Sequence, residues 1–210
     1  LGADDLIGTH GSPLSGTANI AERTRDYRDS IQSMWDQTVR CANLGLTLNE
    51  TIAAVCLPEY FEKHYTTQQF YGVVEHHIRQ IYTGLFGWFD EDEANLFPTP
   101  APQRAQKLIN GFGGISRVRD EVDEALAAKD YRWAIEVSSW LVRSDVNETG
   151  RADAGETEDR IRLAQALRGV AQSTTSANIR NWCITRALEL DGTISLERFR
   201  VHRFHKREGS

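Results

Sequence analysis

A few histidines, tyrosines and arginines hold the chemistry open to this sequence. His10 stands in Gly8-Thr9-His10-Gly11, a glycine-rich stretch after the short apolar-ended run Ala3–Ile7. A histidine in such a place is either a turn residue or one ligand of a metal ion, bound through its neutral imidazole. By itself it cannot hold zinc, which needs several nitrogen, oxygen or sulfur donors converging on one point. A second group lies between Val74 and Leu85. Val74, Ile78, Ile81 and Leu85 share one face of a helix, His76, Arg79 and Thr83 fall about 180° away, and Tyr82 flanks the apolar stripe. That polar face is either solvated or a set of imidazole, guanidinium and phenol donors suited to a diffuse anion. Cys41, Cys56 and Cys183 are odd in number and widely spaced, with no CxxC. They support neither a zinc knuckle nor a disulfide framework, and their apolar neighbours predict three buried free thiols. The basic tail Arg198–Arg207 reads as a solvated linker or a cut strand sooner than as an anion patch.

The elements that must position these groups are mostly helical. Residues 1–19 read as a strand and a Gly/Pro-rich loop, and a lone edge strand is unstable, so it is expected to belong to a sheet outside this chain. From Ala18 the period is three to four residues, and Tyr27, Ile31, Trp35, Thr38 and Ala42 predict the inner stripe of a long helix ending near Gly45. Thr47-Leu48-Asn49-Glu50 has the form of a capping box, in which Thr and Glu side chains satisfy orphan N–H groups at a helix start. The helix it opens must stop before Pro58. Gly72 and Gly87 bracket a helix over Val73–Phe86; Pro98, Pro100 and Pro102 form a stiff connector, with Pro102 suited to the first turn of the next helix. Ile115–Ala128 and Tyr131–Arg143 predict an αα-hairpin joined at Lys129-Asp130, and Glu156–Val170 and Ala177–Leu190 a second helix pair. The acidic stretch Asp145–Gly155 is loop-like, and Leu196–Phe204 reads as the start of a further strand. Most of the five tryptophans are expected in the core.

Composition sets the outer bounds. The chain has 210 residues, 40% of them hydrophobic, and a net charge of −6. It is globular in composition and long enough for one large or two small domains. The negative balance does not give a nucleic-acid footprint. The longest apolar run, Thr51–Leu57, falls far short of the roughly 18 residues a membrane helix needs. The chain opens at Leu1 and its only methionine is Met34, so it is expected to be an internal or C-terminal piece of something longer.

Several blocks in one order carry a family resemblance. Tyr27-Arg28-Asp29, Asp36-Gln37-Thr38-Val39-Arg40-Cys41-Ala42-Asn43 and Gly45-Leu46-Thr47-Leu48-Asn49-Glu50 resemble the dimerisation domain of alkylsulfatases, zinc hydrolases of the metallo-β-lactamase superfamily. Tyr71-Gly72, His76, Ile81-Tyr82, Gly87-Trp88-Phe89-Asp90 and Ala94-Asn95-Leu96 continue the likeness, which resumes at Gly113-Gly114, Asp130-Tyr131-Arg132-Trp133-Ala134 and Leu141-Val142 and more faintly at Arg180-Asn181-Trp182. It covers nearly the whole chain. There are departures: His77 and Asp92-Glu93 stand where the family more often has Asn and an Asn-Pro pair, Asp145-Val146 replaces its Asp-Pro, and Thr149–Thr157 looks like an insertion.

The resemblance implies a mostly α, tetratricopeptide-like dimerisation domain over residues 20–192. Before it, residues 1–19 would be the tail end of a metallo-β-lactamase-like αββα catalytic domain; after it, 193–210 would be a linker or the start of a sterol-carrier-like domain. The HxHxDH metal motif of the family is not in this sequence. Of the zinc ligands only His10 would remain, so two Zn2+ are implied for the complete protein and none for this chain alone. The activity implied is hydrolysis of alkyl sulfates such as dodecyl sulfate by a homodimer. Tyr82 is the best match for a sulfate-contacting tyrosine, with Tyr71 in reserve and His76 and Arg79 as neighbouring donors. The rival reading is a stand-alone tetratricopeptide-like adaptor without catalysis, since the small residues of Glu121–Arg143 suit that packing.

Overall fold

A computed structural model of the chain describes residues 2–145 and 155–195. Ten α-helices and one short hairpin make up the regular structure of those residues, and they divide into two compact units, Leu1–Pro98 and Thr99–Ser210. No helix among the described residues is long and apolar enough to cross a membrane.

The first unit opens with strands β1 (Asp5–Leu6) and β2 (Leu14–Ser15), paired antiparallel with Asp5 opposite Ser15 and Leu6 opposite Leu14. The N-terminal strand therefore has one partner inside this chain. A side-chain hydrogen bond, Ser15 Oγ donating to Asp5 Oδ1 at 2.6 Å, closes the same pair. Gly16, at φ 89°, makes the sharp exit into α1 (Thr17–Asn43), a conformation that a Cβ would strain. The buried row of α1 is Ile20, Asp26, Ser30, Met34, Thr38 and Cys41. Tyr27, Ile31 and Trp35, expected to face inward, are exposed. Two adjacent rows of this helix share the same four-residue spacing, and the more polar row is the inner one. Its hydroxyls are satisfied locally: Thr38 Oγ1 donates to the Met34 carbonyl at 2.7 Å and Ser30 Oγ to that of Tyr27 at 2.8 Å.

Helix α2 (Leu48–Ala54) starts at the expected capping box: the Thr47 hydroxyl accepts from the Glu50 N–H, and the Thr47 N–H donates to Glu50 Oε2 at 2.8 Å. Two short helices were not expected, α3 (Glu59–Lys63) and α5 (Glu93–Leu96); between them lie a 3₁₀ turn, Tyr65–Thr67, and α4 (Val74–Phe86). Ile78, Cys41 and Val55 form the core cluster that joins α1, α2 and α4, with Leu46, Ile52 and Val74 packed on it. The inner face of α4 is Ile78 and Tyr82; Leu85, expected on it, is exposed.

The second unit stacks α6 (Ala101–Gly111), α7 (Ile115–Ala127), α8 (Tyr131–Arg143), α9 (Thr157–Ser173) and α10 (Ala177–Leu190). Pro102 lies in the first turn of α6, and Gly113 and Gly114, both at positive φ, break the chain before α7. Lys129 adopts φ 60° at the α7–α8 turn, and Asp130 caps α8 by accepting from the Trp133 N–H. Ala125, Ala134 and Ala166 meet where α7, α8 and α9 cross, and a Cβ on Gly169 would lie 2.3 Å from the Tyr131 ring. Small residues are what allow these axes to approach. Cys41 and Cys183 are buried but Cys56 is exposed, and Trp35, Trp88 and Trp182 are exposed rather than core. Residues 146–154 of the acidic loop and the basic tail from Leu196 lie outside the described residues.

Candidate functional site

A cavity of about 870 Å³ lies wholly within the first unit. It is formed by the loop after β1, the exposed row of α1, the segment from Tyr65 to Gly72 and the start of α4. Its volume falls in the range of small-molecule sites. Apolar groups dominate the wall: Leu6, Ile31, Met34, Leu57, Val74 and Ile81. Tyr27 and Ile31 owe their exposure to this cavity, which explains why an apolar row of α1 is left outside the core.

Polar side chains enter at defined points. His10 and Tyr71 both line the cavity, with ring centroids 4.6 Å apart and planes at 38°. The hairpin turn fixes the first and the chain entering α4 the second, so two residues 61 positions apart become one pair. His77 also lines the wall, lying so close over Gly72 that a Cβ there would sit 2.4 Å from Nε2. Burial, with a smaller push from His76, lowers the His77 pKa below its ordinary value and favours the neutral ring.

Other expected site residues lie off this wall. Tyr82 is 2% exposed, and its hydroxyl donates to the Leu46 carbonyl at 3.3 Å. Burial, and then the carboxylates of Glu91, Asp90 and Glu50, raise its pKa, so the phenol stays protonated. Arg79 pairs with Glu75 one turn away at 3.2 Å, and Thr83 Oγ1 donates to the Arg79 carbonyl. His76 is exposed and does not line the cavity. The phase of α4 accounts for the difference: the helix buries the Ile78–Tyr82 row, one position on from the Ile81–Leu85 row that hydropathy favours.

Arg23 and His77 line the cavity although the sequence did not offer either as a site residue. The His77–Gly72 contact has a partial signal in the adjacent glycine; Arg23, in a run of charged helix residues, has none. A metal finds no complete ligand set in these residues. Among the described ones, no three His, Cys, Asp or Glu side chains are grouped as a metal ion requires. The described residues do not make a zinc centre by themselves.

Comparison with known proteins follows the same lines. Residues 47–193 match the family model described as alkyl sulfatase dimerisation. The chain is 35% identical over 194 residues to a linear primary-alkylsulfatase of a Pseudomonas strain, covering 91% of this chain and 35% of the relative. It is 29% identical over 187 residues to an alkyl/aryl-sulfatase of Saccharomyces cerevisiae, covering 89% and 28%. The solved structure of a stereoselective inverting sec-alkylsulfatase from a Pseudomonas species superposes with a TM-score of 0.81 at 27% identity, over 92% of this chain and 29% of that one. The chain thus spans about a third of the length of the curated relatives it matches. With a family match running through both of its units and a shared helical fold behind it, this chain belongs to the alkylsulfatase dimerisation family.

Proposed function

We propose that the chain is the subunit-joining part of an alkylsulfatase homodimer, and that the cavity of its first unit forms part of the channel for the alkyl chain of a sulfate ester. One observation carries the reading: a cavity of about 870 Å³ whose wall surface is mainly apolar, with the His10–Tyr71 pair on it. An aliphatic tail gains about 0.8 kcal/mol for each methylene moved from water onto such a wall.

In the complete enzyme His10 would give one imidazole to a zinc pair whose other ligands are not among the residues described here. Zinc when bound supplies Lewis acidity and an activated water. This chain's own part is to hold the tail, to orient the ester and to join subunits; alone it should not hydrolyse dodecyl sulfate. Tyr71 is the phenol placed to donate to the ester. Tyr82, committed to Leu46, acts on the fold that holds α4, and His76 and Arg79 belong to a solvated face.

The test is a pair of variants in the full-length enzyme. Tyr71→Phe should lower kcat/KM for an alkyl sulfate several-fold while light scattering still reports a dimer. Tyr82→Phe should leave kcat/KM near its parent value. Unchanged kinetics for Tyr71→Phe, or a several-fold loss for Tyr82→Phe, would reverse the two roles; a monomer in the unsubstituted protein would remove the joining role.

A further inference from the structure

Among the side chains lining the cavity, Arg23 is the only lysine or arginine, and no aspartate or glutamate accompanies it. Its Nη1 donates to His64 Nδ1 at 2.8 Å. A guanidinium offers only donors, so this contact requires Nδ1 to be the acceptor nitrogen of a neutral ring. The carboxylate beside His64 is that of Asp26, 7% exposed, which takes the Tyr60 hydroxyl on Oδ1 at 3.2 Å. Its Oδ2 faces the same His64 Nδ1 at 3.6 Å and has no hydrogen-bond partner. No carboxylate among the described residues lies within ion-pair distance of Arg23 itself.

Arginines at protein surfaces usually meet a carboxylate or open water. This one borders an apolar cavity and is held by a neutral imidazole, which fixes its position without cancelling its charge. Most of its five donors remain for a ligand, in the fork geometry that suits two oxygens of one oxyanion. Ile31, on the next-but-one turn of the same helix, lines the cavity together with Met34, Leu57 and Ile81, so an apolar path is available to whatever Arg23 holds.

We infer that Arg23 anchors the anionic head of a single-chain amphiphile (a sulfate, sulfonate or carboxylate) whose tail lies along this wall, with His64 as the residue that positions it. The inference rests on the reading of the cavity as an alkyl site, but not on hydrolysis. Titration calorimetry of the full chain separates the two. The probes are decane-1-sulfonate, which has no ester to cleave, decanoate, and the neutral decan-1-ol, each below its aggregation limit. The sulfonate should bind about ten-fold more tightly than the alcohol, the worth of one charge-assisted pair in partial contact with water. Arg23→Gln should erase that difference while leaving the alcohol within two-fold of its parent affinity, and Arg23→Lys, which keeps the charge but not the fork, should retain part of it. Comparison of sulfonate with decanoate tells which oxyanion the fork prefers. Equal binding of sulfonate and alcohol by the unsubstituted chain, or equal weakening of both in Arg23→Gln and Arg23→Lys, overturns the role of Arg23 while the alkyl site stands. No binding of any probe overturns both.

Discussion

The two units spend their apolar residues differently. In Thr99–Ser210, helices of 11 to 17 residues enclose three clusters of buried side chains, with alanines and a glycine where axes cross. In Leu1–Pro98, one 27-residue helix is followed by elements as short as three residues, and a single three-residue cluster of buried side chains forms among the described residues. Tyr27, Ile31, Tyr65 and Tyr71 are instead left on the wall of a cavity. Close packing gives a rigid frame, whereas a site needs unfilled space and side chains whose valences are not all used. The second unit is therefore read as frame and the first as the place where ligand chemistry is kept.

That contrast can be broken most directly by truncating one core residue in each unit. Leu167 is 3% exposed and belongs to the largest cluster, with Val142, Leu163 and Ala187 around it. Leu167→Ala should cost about 3 kcal/mol, the transfer of the lost atoms plus the void they leave. Met34 is almost as buried, at 6%, but borders the cavity. Its side chain already lacks partners on one side, so Met34→Ala should cost about 1–2 kcal/mol. Denaturant unfolding monitored by circular dichroism reads both. Equal losses would mean that the first unit is packed as tightly as the second.

Charge pairs sharpen the same comparison at a smaller scale. Arg119 of α7 donates from Nε and Nη2 to the two oxygens of Asp159 on α9, both at 2.8 Å, and from Nη2 to Glu156 at 2.7 Å. These bonds hold the guanidinium pKa above its ordinary value. The Asp159 side chain is only 5% exposed, so Arg119→Ala leaves a buried carboxylate with Arg162, 3.6 Å away, as its remaining cation. Loss of one partner of such a pair should cost about 2 kcal/mol, softened by Arg162. In the first unit, Lys63 pairs with Glu59 one turn apart with both side chains mostly exposed. Lys63→Ala should change stability by less than about 0.5 kcal/mol. Thermal unfolding of the two variants side by side decides the matter.

How much of this was legible depended on distance along the chain. The capping box at Thr47, Pro102 in a first turn, the α7–α8 hairpin and the α9–α10 pair are set by neighbours within about five positions, and the sequence reading places them within one to three residues. Hydropathy points to the wrong row of α1, because Tyr27, Ile31 and Trp35 carry a stronger apolar signal than the buried Asp26, Ser30 and Met34. Hydropathy cannot tell a core row from a row that lines a cavity. The same ambiguity puts Ile81 and Leu85 on the inner face of α4 and leaves Tyr82 at its flank, where the structure buries Tyr82 and exposes Leu85. Exposed Trp35, Trp88 and Trp182 and exposed Cys56 follow the same rule: residue type predicts burial only where something packs on it. The meeting of His10 with Tyr71, and of Arg23 with His64, is a tertiary fact with no local mark.

Tyr82 gives a smaller test of the first unit. Its hydroxyl bond to the Leu46 carbonyl ties α4 to the loop before α2. Tyr82→Phe keeps the ring, which lies 5.0 Å from that of Phe86, and removes one buried hydrogen bond. The expected loss is about 1 kcal/mol in denaturant unfolding. A loss near zero would show that the hydroxyl contributes nothing to the fold, and would return it to the candidates for ligand contact.

A small, pH-dependent effect is expected at the end of the second unit's last helix. Asp191 follows α10, accepts from the Thr193 N–H at 2.9 Å, and pairs with Arg168 of α9. Hydrogen bonds from Thr193 and then Arg168 bring its pKa down from 3.8 to about 2. The shift is downward on folding, so as pH falls the unfolded chain takes up this proton before the native state does: the stabilising contribution is complete above pH 3.8 and disappears as pH falls through about 2. The pair is near the surface, and solvent screening limits its worth to less than about 1 kcal/mol. Asp191→Asn should therefore lower stability slightly at neutral pH, and the gap between variant and parent should close between about pH 4 and pH 2. A gap that stayed constant through that window would mean that Asn keeps the Thr193 contact and that the charge on Asp191 does not hold α10 against α9.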